Sequence, residues 1–153
     1  MIEIISFRLT PNIYFGIIVK RHLQQSWWLY VLCLLFSLYF LFSADKSYFA
    51  VFMIIFGIIY LPSVLIYYFF WATSSKNNTL FLDRKLTLES EKLSMNADGI
   101  YSELAYKHVQ KIVETSDYFL LYIAKSQFVY IPKSAFVDAA DIEKFKGIIE
   151  QEA

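Results

Sequence analysis

Residues 22–44 read HLQQSWWLYVLCLLFSLYFLFSA and contain no Asp, Glu, Lys or Arg. A second uncharged run, SYFAVFMIIFGIIYLPSVLIYYFFWATSS, covers residues 47–75. Each run exceeds the ~20 apolar residues that cross a lipid bilayer as a helix. A signal peptide is the weaker interpretation of the first run, because a second span follows it at once. The sequence therefore predicts a transmembrane hairpin in residues 26–75, with spans at about 26–43 and 48–73.

The flanks of the hairpin predict its orientation. Cations precede the first span and follow the second: Arg8, Lys20, Arg21, Lys76, Arg84 and Lys85. Cytoplasmic flanks retain Lys and Arg, so we expect both termini in the cytoplasm. Trp27, Trp28 and Trp71 are expected at that same interface, since indole rings prefer the edge of a bilayer.

Residues 1–25 are predicted to hold a strand followed by a helix. Met1–Leu9 alternates in part, and Thr10-Pro11 is typical of a helix start, with a hydroxyl cap and proline in the first turn. Residues 12–25 then predict an amphipathic helix at the cytoplasmic interface, leading into the first span. A helix packed on the soluble domain is the alternative.

Residues 76–153 predict a cytoplasmic antiparallel sheet closed by a C-terminal helix, similar in shape to a pleckstrin-homology domain. Period-two alternation indicates strands near residues 80–89, 92–97, 99–106, 109–115, 118–124 and 128–131. Asp98-Gly99 predicts a tight hairpin turn. After Asp138, the apolar residues Ile142, Phe145, Ile148 and Ile149 share one face of a helix. The domain is small, so we expect the N-terminal strand to complete it.

The final strand supplies candidate contact residues. QFVYIPKSAF, residues 127–136, ends at Pro132, which cannot donate to a sheet ladder. Phe136 is expected to pack under the closing helix, and Lys133 is either a ligand contact or a solvated turn lysine. An interaction module would expose tyrosine or phenylalanine beside a groove or sheet edge. The candidate interaction residues are Tyr118, Tyr122, Tyr130, Lys133 and Phe136.

Residues that carry enzyme chemistry are sparse. The chain has two histidines and one cysteine, Cys33 within the first span, at no metal-ligand spacing. Its four glycines are scattered and form no phosphate-binding loop. We therefore expect no enzymatic activity and no cofactor. From Lys76 onward, ten Lys and Arg face twelve Asp and Glu, which disfavours nucleic-acid binding.

Several short motifs carry a family resemblance. They are Phe7-Arg8-Leu9-Thr10-Pro11, Met95-Asn96-Ala97-Asp98-Gly99-Ile100, Ile112-Val113-Glu114, Asp117 to Tyr122, and Ile131-Pro132-Lys133-Ser134-Ala135-Phe136. In this order the chain resembles the YcxB-like family of small bacterial membrane proteins. The resemblance implies two transmembrane helices and a C-terminal domain similar to bacterial pleckstrin-homology-like modules, and it implies little about activity.

These observations lead to one main hypothesis and one alternative. The main hypothesis is a non-enzymatic, membrane-anchored interaction or sensing module of the bacterial cytoplasmic membrane, embedded in the lipid bilayer and binding a protein partner. The alternative is an immunity protein that protects against a membrane-acting toxin, since a two-span protein suits that task.

Overall fold

The computed structural model describes residues 2–43, 47–89, 91–125 and 127–152. The chain divides into two compact units. The helical unit is Thr10–Thr79, and the sheet unit joins Met1–Leu9 to Leu80–Ala153. The predicted α+β class is confirmed. The sheet unit is assembled from one segment that precedes the helical unit in the sequence and one that follows it.

The helical unit contains two long helices, α1 (Pro11–Phe42) and α2 (Tyr48–Ala72). The predicted cap of α1 is present, because Thr10 Oγ1 accepts a hydrogen bond from the backbone N–H of Ile13 at 3.4 Å. Both helices are long and apolar enough to cross a membrane. The predicted boundary at residue 25 is absent, since α1 continues through it; no proline after Pro11 interrupts the helix. Most of the predicted connection, Ala44–Lys46, lies outside the described residues.

The two helices pair antiparallel along most of their length. Ring centroids of Phe40 and Phe49 are 5.7 Å apart, and those of Tyr30 and Tyr60 are 5.5 Å apart. Near the other end, the Tyr68 hydroxyl lies 3.0 Å from His22 Nδ1. These three contacts fix the register between α1 and α2.

This register relates the positions of the tryptophans along the hairpin. Because Tyr68 lies beside His22, Trp71 lies near the level of Val19 on α1. Trp27 is eight residues farther along α1, or about 12 Å at the rise of an α-helix. The expectation that all three indoles lie at one membrane interface stays a prediction.

The sheet unit has a four-stranded antiparallel sheet in the order β1-β2-β3-β4 and a three-stranded one in the order β5-β6-β7. The strands are β1 (Ile2–Arg8), β2 (Asp83–Leu88), β3 (Lys92–Ala97), β4 (Ile100–Ala105), β5 (Lys111–Glu114), β6 (Tyr118–Ala124) and β7 (Gln127–Pro132). Helix α3 (Ala139–Glu152) follows β7. The predicted help from the N-terminal strand is confirmed, because β1 pairs with β2.

One predicted strand begins later than its leucine pattern indicates. Leu80 lies in a 3₁₀ helix, Ser75–Phe81, and β2 starts only at Asp83. A 3₁₀ helix has three residues per turn, so the alternation of Leu80 and Leu82 does not mark a sheet face. Phe81 is the buried residue of that helix.

Two local motifs form as their residues predict. Asp98 and Gly99 turn the chain between β3 and β4 with φ of 47° and 80°, which glycine and aspartate tolerate better than most residues. Asp138 caps α3, where its Oδ1 accepts hydrogen bonds from the backbone N–H groups of Ala140 and Asp141.

Residues from both sheets and from α3 form one hydrophobic core. Its fully buried members include Leu86, Leu88, Leu93, Leu121, Ile131 and Phe145. The strand β1 contributes Ile2 and Ile4, so residues that precede the helical unit belong to this core. The core therefore holds the first strand to the rest of the sheet unit.

Tyr106 places a phenol inside this core. Its side chain is fully buried, and its hydroxyl has no hydrogen-bond partner among the described residues. Burial, and then the negative charge of Glu89, raise the pKa of Tyr106 from 10.0 to about 12. The folded chain therefore keeps a proton here that the unfolded chain loses near pH 10.

We expect the sheet unit to lose stability in alkali, and the variant Tyr106→Phe to resist that loss. Below pH 10 the phenol is protonated in both states, so stability does not depend on it. Between pH 10 and about 12 only the unfolded state releases the proton, which costs up to about 3 kcal/mol of folding free energy. Thermal unfolding of the full chain in detergent, measured at a series of pH values, tests this.

At neutral pH the same variant should be as stable as the parent or more stable by about 1 kcal/mol, since it removes an unpaired buried hydroxyl. Tyr101→Phe is the matched control, because Tyr101 is 63% exposed. An alkaline transition that is unchanged in Tyr106→Phe would contradict the prediction.

Candidate interaction surface

The three-stranded sheet brings the predicted tyrosines together. Side chains alternate along β6, so Tyr118 and Tyr122 share one face while Phe119 and Leu121 enter the core. In β7, Tyr130 pairs with Leu120 and therefore lies on the same face as the two tyrosines. We call the set Tyr118, Leu120, Tyr122, Phe128 and Tyr130 the aromatic face.

Ring contacts order the aromatic face. The Tyr118 and Tyr130 centroids are 5.3 Å apart, and those of Tyr122 and Phe128 are 5.6 Å apart. Phe7 of β1 adds an edge contact to Tyr130 at 6.1 Å. Such pairs are favourable beyond their buried area, so the rings form a rigid surface.

Exposure differs across the aromatic face. Tyr118 and Tyr122 are half-buried, whereas Leu120 and Tyr130 are buried. Burial, followed by the charge of a neighbouring tyrosine, raises the pKa of Tyr118 and that of Tyr130. Both phenols are protonated at neutral pH. Of the three predicted tyrosines, Tyr130 is a packing residue, and Tyr118 and Tyr122 keep accessible area.

Phe136 lies in the core, which corrects its inclusion among the contact residues. Its ring packs 5.7 Å from Phe145 of α3 and 6.2 Å from Phe119. The expectation that it packs under the closing helix is confirmed, and for that reason a partner cannot reach it.

Lys133 is held by an ion pair. Its Nζ lies 2.6 Å from Glu114 Oε1 and 5.0 Å from the centre of the Phe119 ring. Lys146 of α3 contacts the same Glu114 oxygen at 3.0 Å. Hydrogen bonds from Lys133 and then from Lys146 lower the pKa of Glu114. The cluster joins β5, the turn after β7 and α3, so Lys133 has a structural role.

A second exposed apolar site was missed in the sequence. Ile100 and Tyr101 are 55% and 63% exposed, directly after the Asp98-Gly99 turn. The Tyr101 hydroxyl donates a hydrogen bond to Glu103 Oε1 at 2.7 Å. The signal was present in the sequence: two residues that follow a tight turn lie at the tip of a hairpin, beyond the reach of the core.

Within the described ranges, no group of three or more His, Cys, Asp or Glu side chains is arranged to hold a metal ion.

The fold defines a class of protein in which a pair of long apolar helices is inserted between the first and second strands of an α+β domain. Comparison with protein families finds a match to part of that domain. The model of the YcxB-like protein family matches residues 88–149, from the end of β2 into α3, which confirms the resemblance predicted from the sequence motifs. Comparisons with curated proteins and with solved structures gave no match.

Proposed function

We propose that this chain is a non-enzymatic, membrane-anchored interaction module with its sheet unit in the cytoplasm. The observation that carries the proposal is the double attachment of the sheet unit. Its first strand precedes α1 and its second strand follows α2, so the folded domain is tied to the apolar hairpin by two chain segments.

A lipid environment for the hairpin is supported by its side chains. In each helix only 6% of the most apolar window is buried within the chain, whereas the core helix of a soluble protein is mostly buried, and this difference supports insertion into lipid. Large apolar residues such as Leu35, Phe42 and Ile58 are more than half exposed. Apolar surface of this extent needs a partner, and a bilayer supplies one.

The strand pairing and the charges support the proposed orientation. Since β1 pairs with β2, a hairpin that crosses the bilayer returns the chain to the side on which it started. The cations flanking the hairpin favour the cytoplasmic side. Two antiparallel sheets of four and three strands followed by a C-terminal helix also support a pleckstrin-homology-like module.

A protein partner fits the aromatic face best. Tyrosine is enriched at protein interfaces, because its ring offers apolar area and its hydroxyl offers a hydrogen bond at low entropic cost. Tyr118 and Tyr122 have accessible area on a rigid sheet, so little order is lost on binding.

Photocrosslinking in native membranes tests this proposal. With p-benzoylphenylalanine in place of Tyr122, we expect a crosslink to one identified protein. The matched control places the same group at Tyr101, an exposed tyrosine outside the aromatic face. The purified partner should then bind Tyr118→Ser at least about tenfold more weakly than the parent, or ~1.4 kcal/mol. Identical crosslinks from both positions, or equal affinity for Tyr118→Ser, would refute the proposal.

A further inference from the structure

Both connections to the helical unit leave the sheet unit from the same end of the four-stranded sheet. Arg8, the last residue of β1, pairs with Asp83, the first residue of β2. Only Leu9 and Thr10 separate β1 from α1. We call this the proximal end of the sheet.

The turn between β3 and β4 lies at the proximal end too. Arg84 pairs with Ala97, and Ala97 pairs with Ile100 across the turn. The hairpin tip, residues 97–101, is therefore at the same end of the sheet as Arg8 and Asp83.

The hairpin tip carries adjacent exposed apolar residues. Ile100 and Tyr101 are 55% and 63% exposed and point to opposite faces of β4. The other large apolar residues that are strongly exposed in the described part of the sheet unit, Ile5 and Val137, are single residues on other elements. Two adjacent apolar side chains at the tip of a hairpin are suited to shallow insertion into an apolar layer.

Charge is distributed unevenly along the strands. The proximal end carries the cations Arg8, Arg84 and Lys85 against the carboxylates Asp83 and Asp98. The other end carries Glu89, Glu91 and Glu103 with Lys92 and Lys107. Lys85 lies in the same cross-strand row as Tyr101, through Asn96. Three cations against two carboxylates leave the proximal end with a small net positive charge, and of these cations Arg8 and Lys85 are exposed. An exposed cation beside an anionic lipid surface is worth about 1 kcal/mol.

We propose that the hairpin tip, through Ile100 and Tyr101, inserts into the headgroup layer of the bilayer that holds the helices. The contact rests on the proposed membrane insertion. Tyrosine rings favour that layer, and the two tethers keep the tip at high local concentration, so a weak contact is well populated. The tip then fixes the orientation of the sheet unit on the membrane. The aromatic face, which belongs to the same unit, is thereby held in a defined orientation.

Site-directed spin labelling of the full chain tests the contact. The chain, with Cys33→Ala, is reconstituted in vesicles of phosphatidylethanolamine and phosphatidylglycerol and labelled at Ile100→Cys. We expect the ratio of oxygen to nickel-chelate accessibility to be severalfold higher there than at Val137→Cys, the exposed control in the same unit. Leu35→Cys, on the exposed side of α1, reports whether the helical unit itself is exposed to lipid.

The outcomes separate the two proposals. If Leu35 reports lipid and Ile100 matches Val137, the tip contact is wrong while membrane insertion stands. If Leu35 also reports water, both are wrong. If the Ile100 label in native membranes is immobilised and shielded from both reagents, the tip binds a protein instead, which equally overturns the lipid contact.

Discussion

A chain in which a short glycine-serine linker replaces residues 10–79 is expected to fold as a water-soluble domain, whereas residues 80–153 alone are expected to be largely unfolded. The linker needs little length, because Arg8 and Asp83 are already paired. Without β1 the core loses Ile2 and Ile4, which are 6% and 4% exposed. Truncating one buried isoleucine costs about 2–5 kcal/mol, so losing both removes most of a typical stability of roughly 5–15 kcal/mol.

Urea unfolding followed by circular dichroism measures the difference between the two chains. Neighbouring residues of β1 provide the matched variants in the linked chain. Ile4→Asp places a charge in the core and should unfold the domain, whereas Ile5→Asp changes a residue that is 57% exposed and should be tolerated. A cooperative transition in residues 80–153 alone, with the midpoint of the linked chain, would show that β1 is dispensable.

Local elements were predictable where the local sequence determines them. Alternation bounded by Ser116-Asp117 predicted β6 at Tyr118–Ala124, as found. The Asp98-Gly99 turn and the apolar face of α3 were also predicted, because turn conformation and helical periodicity depend on neighbouring residues. The late start of β2 was not predicted, since Leu80 of the 3₁₀ helix and Leu82 after it continue the alternation of Leu86 and Leu88 in the strand.

Long-range pairing determined what could not be predicted. Tyr118 and Tyr122 share a face because of their spacing along β6, but Tyr130 joins them only because of the register between β6 and β7. That pairing also has an irregularity between Tyr122 and Ala124 of β6. The partner of Lys133, Glu114, is 19 residues away on another strand. No local sequence pattern indicates a contact over that separation, so the ion pair of Lys133 with Glu114 was not predicted.

In the helical unit, Gly57 permits a close approach of α1 and α2. A Cβ atom at this position would lie 1.7 Å from Ser37 Oγ and 3.0 Å from the Cys33 carbonyl oxygen. Ser37 is buried, and its Oγ lies 2.9 Å from that oxygen and 3.1 Å from the Met53 carbonyl oxygen on α2. Gly57 therefore packs α2 against α1 through a specific contact with Ser37.

Gly57→Leu is expected to separate the two helices. The new side chain displaces Ser37, removes its hydrogen bond to α2 and overpacks the contact, at a cost of about 1–3 kcal/mol or more. The measurement is the rate of oxidative crosslinking between Phe40→Cys and Phe49→Cys in a Cys33→Ala chain, since these rings face each other. Gly57→Leu should slow that rate severalfold in detergent.

Gly16 of α1 is the matched control, because a Cβ atom there meets no atom within 4 Å. Gly16→Leu should crosslink as fast as the parent, and the better helix propensity of leucine should stabilise α1 slightly. Gly57→Ala combined with Ser37→Ala should recover part of the lost rate, since the pair removes the clash with the hydroxyl. Recovery should be incomplete, because the hydrogen bond to α2 is lost and the new Cβ atom still lies 3.0 Å from the Cys33 carbonyl oxygen and from the Cβ atom of residue 37. Equal crosslinking rates for Gly57→Leu and Gly16→Leu would mean that the helices do not depend on this contact, and the register fixed by Phe40, Tyr30 and His22 would then have to hold the hairpin alone.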